Sequence, residues 1–163
     1  MRHILSILIE NESGALSRVA GLFSARGYNI ESLAVAVTED PSLSRITLVT
    51  RGSEEIIEQI TKQLNKLIDV VKLIDLAESE HIERELMMVK IKTDEHSRDE
   101  IRSLADIFRG KILDVTPTTY VVEITGPSEK LDAFVAAVAS ETIIEVVRSG
   151  PTGISRGEKG LHL

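Results

Sequence analysis

Residues 4–9 are an almost unbroken apolar run (Ile4, Leu5, Ile7, Leu8, Ile9), which suits a strand covered on both faces rather than one with a wet side. The period then changes. Leu16, Val19, Ala20 and Phe23 recur at i, i+3, i+4 and i+7, the single face of a helix, with Ser13 as candidate N-cap and Gly27 as the stop. Strands follow at 30–37 and 45–50, separated by the turn Glu39-Asp40-Pro41-Ser42. Ser53 is placed to cap a second helix whose first turn holds Glu54 and Glu55 and whose inner face is Ile57, Ile60, Leu64 and Leu67, and a strand over 70–76 closes the set.

A polar, acidic stretch over 77–85 reads as a linker, after which the order of elements repeats. Met87, Val89 and Ile91 alternate as a strand; Ser97 and Glu100 have the spacing of a capping box before a helix faced by Ile101, Leu104, Ala105 and Phe108, which stops at Gly110. Strands over 111–116 and 119–125, a helix faced by Leu131, Phe134, Val135 and Val138, and a strand over 143–148 complete it. The tail from Gly150 onward, rich in glycine, is expected to be irregular. Two consecutive βαββαβ patterns predict an α+β chain of two tandem ferredoxin-like sandwiches with antiparallel sheets, bounded as 1–77 and 78–163. Helices on one face of the first sheet leave apolar side chains of residues 4–9 on the other, so that face or a sheet edge is expected to be buried by self-association or by a partner.

The length of 163 residues fits two domains of roughly 80 residues, each small enough to need support from a neighbour. The net charge of −7 is spread over both halves without a basic cluster, which argues against nucleic acid as a partner. The absence of cysteine excludes disulfides and thiolate metal sites. No apolar run reaches the roughly 18 residues of a membrane span, and the first residues do not form a signal peptide; a cytoplasmic protein without a membrane partner is expected.

Chemistry concentrates at Asn11-Glu12-Ser13-Gly14-Ala15-Leu16, where a glycine at a strand-to-helix junction precedes free helix amides suited to a carboxylate or phosphate. The matching stretch of the second half, residues 93–98, is acidic and lacks glycine. Asn29, after Gly27-Tyr28, offers an amide for an amino group or carboxylate. Gly153-Ile154-Ser155-Arg156-Gly157 has the spacing of a nucleophile elbow, yet an elbow needs a strand before it, a helix after it and an acid then a histidine downstream, whereas only Glu158 to Leu163 remain and His162 lies in a tail, so no catalytic residue is assigned. The four histidines (His3, His81, His96, His162) form no i, i+4 pair, no phosphate-binding fingerprint occurs, and neither metal nor cofactor is expected.

Asn11, Gly14 and Leu16 match the signature of the ACT domain, a βαββαβ amino-acid sensor that the first half resembles. Residues 11–19, 26–33, 108–117 and 130–134 together resemble the regulatory small subunits of acetohydroxyacid synthase over nearly the full length. The resemblance implies a non-catalytic homodimer whose partner is a thiamine-diphosphate-dependent catalytic subunit, activated by the second half and feedback-inhibited through the first by valine or a related branched-chain amino acid. It also implies an effector site shared between chains, with Asn11, Gly14, Ala15 and Leu16 from one and Asn29 and Ile30 from the other. The alternative is a stand-alone ACT-type sensor acting on a transcription or nitrogen-signalling partner.

Overall fold

The structure, a computed structural model, describes residues 1–163 and divides into two units, Met1–Ile82 with Thr152–Leu163, and Glu83–Pro151. In the first unit the order is β1 (Arg2–Glu10), α1 (Ala15–Ala25), β2 (Ile30–Val37), β3 (Leu43–Arg51), α2 (Glu54–Asn65) and β4 (Val70–Asp75). The strands form an antiparallel sheet in the order β2-β3-β1-β4. Alternation along β1 sends Leu5, Ile7 and Ile9 to the helices, where they meet Val19, Phe23, Ile57, Ile60 and Leu64. Each such side chain stabilises the unit by about 1.5–3 kcal/mol on full burial. Ile4 points the other way and clusters with Val49 and Leu76, so β1 is covered on both faces, as its unbroken apolar run predicts.

Part of that second covering comes from an unexpected source. Residues 152–163, read as an irregular tail of the second half, return to the first unit, and Thr152–Ser155 form a short strand, β9. Gly153 is the reason the chain fits there: a Cβ on it would meet Leu76 Cδ1 at 2.6 Å and Ile4 Cδ1 at 3.3 Å. The apolar face beside Ile4 is thus met in part by the chain's own tail, which groups with the first unit although it follows the second in the chain.

The expected linker is also mostly structured. Leu76–Glu78 form one turn of 3-10 helix, started by the Asp75 carboxylate accepting from the Ala77 amide at 2.9 Å, and β5 (His81–Lys92) begins three residues later. Polar composition hid this strand because its first residues alternate half-buried and exposed positions with no buried one among them.

The second unit repeats the pattern with β5, α3 (Arg98–Ile107), β6 (Lys111–Val115), β7 (Thr119–Gly126), α4 (Ser128–Ala137) and β8 (Ile143–Arg148), in the sheet order β6-β7-β5-β8, with β9 pairing β5 outside that path. Met87, Val89 and Ile91 alternate with more exposed neighbours and pack on Ile101, Ala105, Leu131 and Phe134, and Phe108 meets Phe134 edge-on at 5.4 Å. The cap of α3 is not the box read from Ser97 and Glu100. Asp94 Oδ1 accepts from the Ser97 amide at 2.8 Å while Ser97 Oγ accepts from the Asp94 amide at 2.9 Å, the same reciprocal logic moved three residues earlier. Asp94→Ala is therefore expected to destabilise this unit by about 1 kcal/mol in a urea titration, and Glu100→Ala to leave it within about 0.5 kcal/mol.

Candidate functional site

The β1–α1 junction is built around Gly14, which has φ 84°, a left-handed conformation that glycine adopts without strain, and which occupies the N-cap position in place of Ser13. The Ala15 amide donates to Glu12 O at 3.2 Å, and the amides of Leu16 and Ser17 are left without a backbone acceptor in the first turn. The Ala15 side chain is core, while Leu16 stands 40% exposed beside the open amides. Asn11 is fixed by two bonds to the β2–β3 hairpin: its amide donates to Ser42 O at 2.7 Å and its Nδ2 to Pro41 O at 3.0 Å, which leaves Oδ1 of this exposed residue available as an acceptor. The hairpin is stiffened in turn by Asp40, whose carboxylate accepts from the Ser42 hydroxyl and amide and is held below its ordinary range by them.

Two residues not singled out in the sequence complete this corner. Arg18 Nε and Nη2 donate to the two carboxylate oxygens of Asp69 at 2.5 and 3.1 Å, and the Asp69 carbonyl accepts the Glu10 amide at 2.8 Å, so the end of β1, the start of α1 and the approach to β4 are tied together. The hydrogen bond to Arg18 lowers the Asp69 carboxyl below its usual value despite burial. One signal was legible: the first turns of α2, α3 and α4 each carry an acid, and that of α1 carries none. A helix start that leaves its amides without a resident negative charge is free to take one from outside.

Asn29 and Ile30 lie elsewhere. Ile30 pairs with Thr50, whose hydroxyl donates to Asn29 O at 2.7 Å, at the end of the sheet where Arg2 faces Arg51; Asn11 follows the opposite end, where Glu10 faces Leu43. The intervening length of β3 spans roughly 23 Å at about 3.3 Å per residue. One chain therefore brings Asn11, Gly14, Ala15 and Leu16 together and cannot add its own Asn29 and Ile30 to them. What it does offer is an open edge: β2 is the outermost strand, with Val35 40% and Val37 55% exposed.

The elbow-like motif at 153–157 lies in β9 and the turn after it, where Arg156 Nη1 pairs with Glu80 at 2.9 Å; no strand-to-helix junction surrounds Ser155. No helix is long and apolar enough to cross a membrane.

Comparison with known proteins matches residues 5–72 to the family model described as the AHAS small subunit-like ACT domain and residues 84–157 to that described as the small subunit of acetolactate synthase, another name for acetohydroxyacid synthase. The chain belongs to the acetolactate synthase small-subunit family. Within that family it is 57% identical over 162 residues to the acetolactate synthase small subunit of Haemophilus influenzae, covering 99% of each chain. It is 58% identical over 160 residues to the isozyme 3 small subunit of Salmonella typhimurium, covering 98% of each. The crystal structure of the acetolactate synthase small subunit from Thermotoga maritima superposes with a TM-score of 0.89 at 38% identity, covering 98% of this chain and 99% of that one. The helix start at Gly14 thus lies in the ACT domain of an acetolactate synthase small subunit, and the two family models meet close to the boundary between the two units.

Proposed function

We propose that this chain is a cytoplasmic regulatory subunit that activates the catalytic subunit of acetolactate synthase through the unit Glu83–Pro151 and makes it answer to a branched-chain amino acid, valine first, through the ACT domain. The observation that carries the sensing role is the helix start at Gly14, with open amides at Leu16 and Ser17 and an available acceptor at Asn11 Oδ1. An α-amino acid presents the complementary pair, a carboxylate for the amides and an ammonium for the carbonyl oxygen.

The open β2 edge supports a site completed by a second copy. If two β2 strands pair antiparallel about a twofold axis, the start of one lies beside the end of the other. The end of β2 is next to the hairpin that holds Asn11, because Val37 pairs with Ser44 and Thr38 donates to Leu43 O at 2.9 Å. Asn29 and Ile30 of the second copy then arrive at the corner that one chain leaves incomplete, the asparagine for the polar head and the isoleucine for a branched apolar side chain. An effector bound across that edge favours one arrangement of the dimer over another, and regulation follows from the difference in affinity between them.

The test is to titrate the chain into the purified catalytic subunit and follow acetolactate formation with and without valine. Stimulation by the chain, reversed by valine, is the expected result. Absence of both stimulation and a complex on a sizing column would assign the chain to stand-alone amino-acid sensing instead.

A further inference from the structure

The returning tail is an odd element for a small α+β unit. Its strand, β9, has no buried residue, and Ile154 is 55% exposed. Apart from the pairing of β9 with β5 it is held by polar fasteners: Arg45 Nη2 to Gly153 O at 2.9 Å, the Arg156 amide to Glu80 O at 3.0 Å with its guanidinium on the Glu80 carboxylate, and Lys72 Nζ to His162 O at 3.1 Å. Beyond Gly153 it stands off from the β2–β3 hairpin across a cavity of about 580 Å³ whose lining includes Thr38, Asp40, Arg45 and Ser155. Few apolar contacts and many exposed hydrogen bonds are the marks of a segment that opens locally at low cost.

Arg45 is the fastener with the least obvious structural reason. It projects from β3 on the face away from the helices, and both its hydrogen bonds go to neutral acceptors, Ser6 Oγ at 2.8 Å and Gly153 O at 2.9 Å, while Glu39 acts on its charge without a hydrogen bond. Its strand begins at the hairpin that holds Asn11 through Pro41 and Ser42. Hydrogen bonds and two residues of strand therefore lead from the proposed effector corner to Gly153, and the covalent chain leads from Thr152 to Pro151, the last residue of the second unit.

We propose that residues 152–163 are a releasable strap on the ACT domain, with Arg45 as the positioning residue that latches it, and that the latch couples effector occupancy to the second unit. The proposal rests on the effector reading above. An amino acid that steadies Asn11 and the hairpin steadies Arg45 and the strap; by reciprocity, a loosened strap weakens the response to the amino acid. The chain then passes between the units by two routes, at Ile82–Glu83 and at Pro151–Thr152, of which only the second is gated.

The experiment is hydrogen exchange and inhibition on the full chain bound to the catalytic subunit, with L-valine as probe. In the wild type, valine is expected to slow exchange over 153–157. In Arg45→Gln the same amides exchange about tenfold faster and no longer respond to valine. The half-inhibitory valine concentration rises about fivefold or more, while stimulation without valine stays within about twofold. Arg45→Lys, which keeps the charge but reaches only one of the two acceptors, falls between. Should Arg45→Gln fold poorly, Gly153→Val dislodges the strap from the other side, since its Cβ meets Leu76 and Ile4. A variant with a freed strap and unchanged valine response overturns the coupling, as does one whose strap exchange never changes. A wild-type complex indifferent to valine, leucine and isoleucine overturns the effector reading itself, and the coupling with it.

Discussion

Gly14→Asp is expected to abolish inhibition by valine while leaving stimulation of the catalytic subunit within about twofold. The new carboxylate would occupy the place proposed for the effector's own, at the open end of α1. A Cβ at this position meets Arg18 Nη1 at 2.9 Å, so the aspartate is directed toward the one guanidinium at the corner and competes for it with Asp69. The backbone is strained as well, because φ 84° is left-handed and only glycine holds it freely. Loss of charge-assisted bonds at the amides costs about 1.5–3 kcal/mol, roughly 10- to 150-fold in affinity, before repulsion is added. The second unit is untouched, which is why stimulation survives. A dose-response curve with valine on the reconstituted enzyme reads both quantities at once, and unchanged sensitivity would remove Gly14 from the site.

The largest effect on stability is expected from Arg148→Met. Arg148 Nε and Nη2 hold both oxygens of Glu85 at 2.8 and 3.0 Å, Nη1 reaches Asp132 at 2.6 Å, and the Ser128 hydroxyl also donates to Glu85 at 2.9 Å. The network joins β5, β8 and the start of α4. Glu85 is 5% exposed, so deleting its partner strands a buried carboxylate at a cost of about 3 kcal/mol, the low end for such a loss because Arg148 itself is one-third exposed. For a unit of this size that lowers the melting temperature by roughly 10–20 °C. Glu85→Leu combined with Arg148→Met should recover much of the loss, since the cost lies in the unpaired charge more than in the missing attraction.

The same pair sets a pH dependence. Burial raises the Glu85 carboxyl, but the Arg148 and Ser128 hydrogen bonds more than offset this and leave it below the ordinary glutamate value. A carboxyl depressed in the folded state contributes stability that is complete above its unfolded value and is lost as pH falls through the folded one. Thermal melts of the wild type should therefore weaken on acidification below the usual glutamate range, and those of the double variant should weaken less.

Much of this molecule was legible along the chain, for a local reason. Periods of two and 3.6 are imposed by side-chain direction in strands and helices, so the alternation at Met87, Val89 and Ile91 and the spacing of Ile57, Ile60 and Leu64 revealed both elements and buried faces. Gly14 was legible because a tight strand-to-helix turn needs a residue free to take positive φ. The strand hidden in the supposed linker, and the cap supplied by Asp94 rather than Ser97, were missed where composition or spacing allowed more than one local solution.

What the sequence by itself determined, then, is the order of elements, the two βαββαβ units and the anion-ready start of α1, all of which depend on neighbours within about a turn or a strand. Only the tertiary structure decided that Arg18 meets Asp69, that Asn29 and Asn11 lie at opposite ends of one sheet, and that residues 152–163 return to Arg45 and Gly153's neighbours Ile4 and Leu76. Those facts are pairings between residues distant in the chain, set by strand order and by the fit of one glycine against a closed surface, and no local period encodes them.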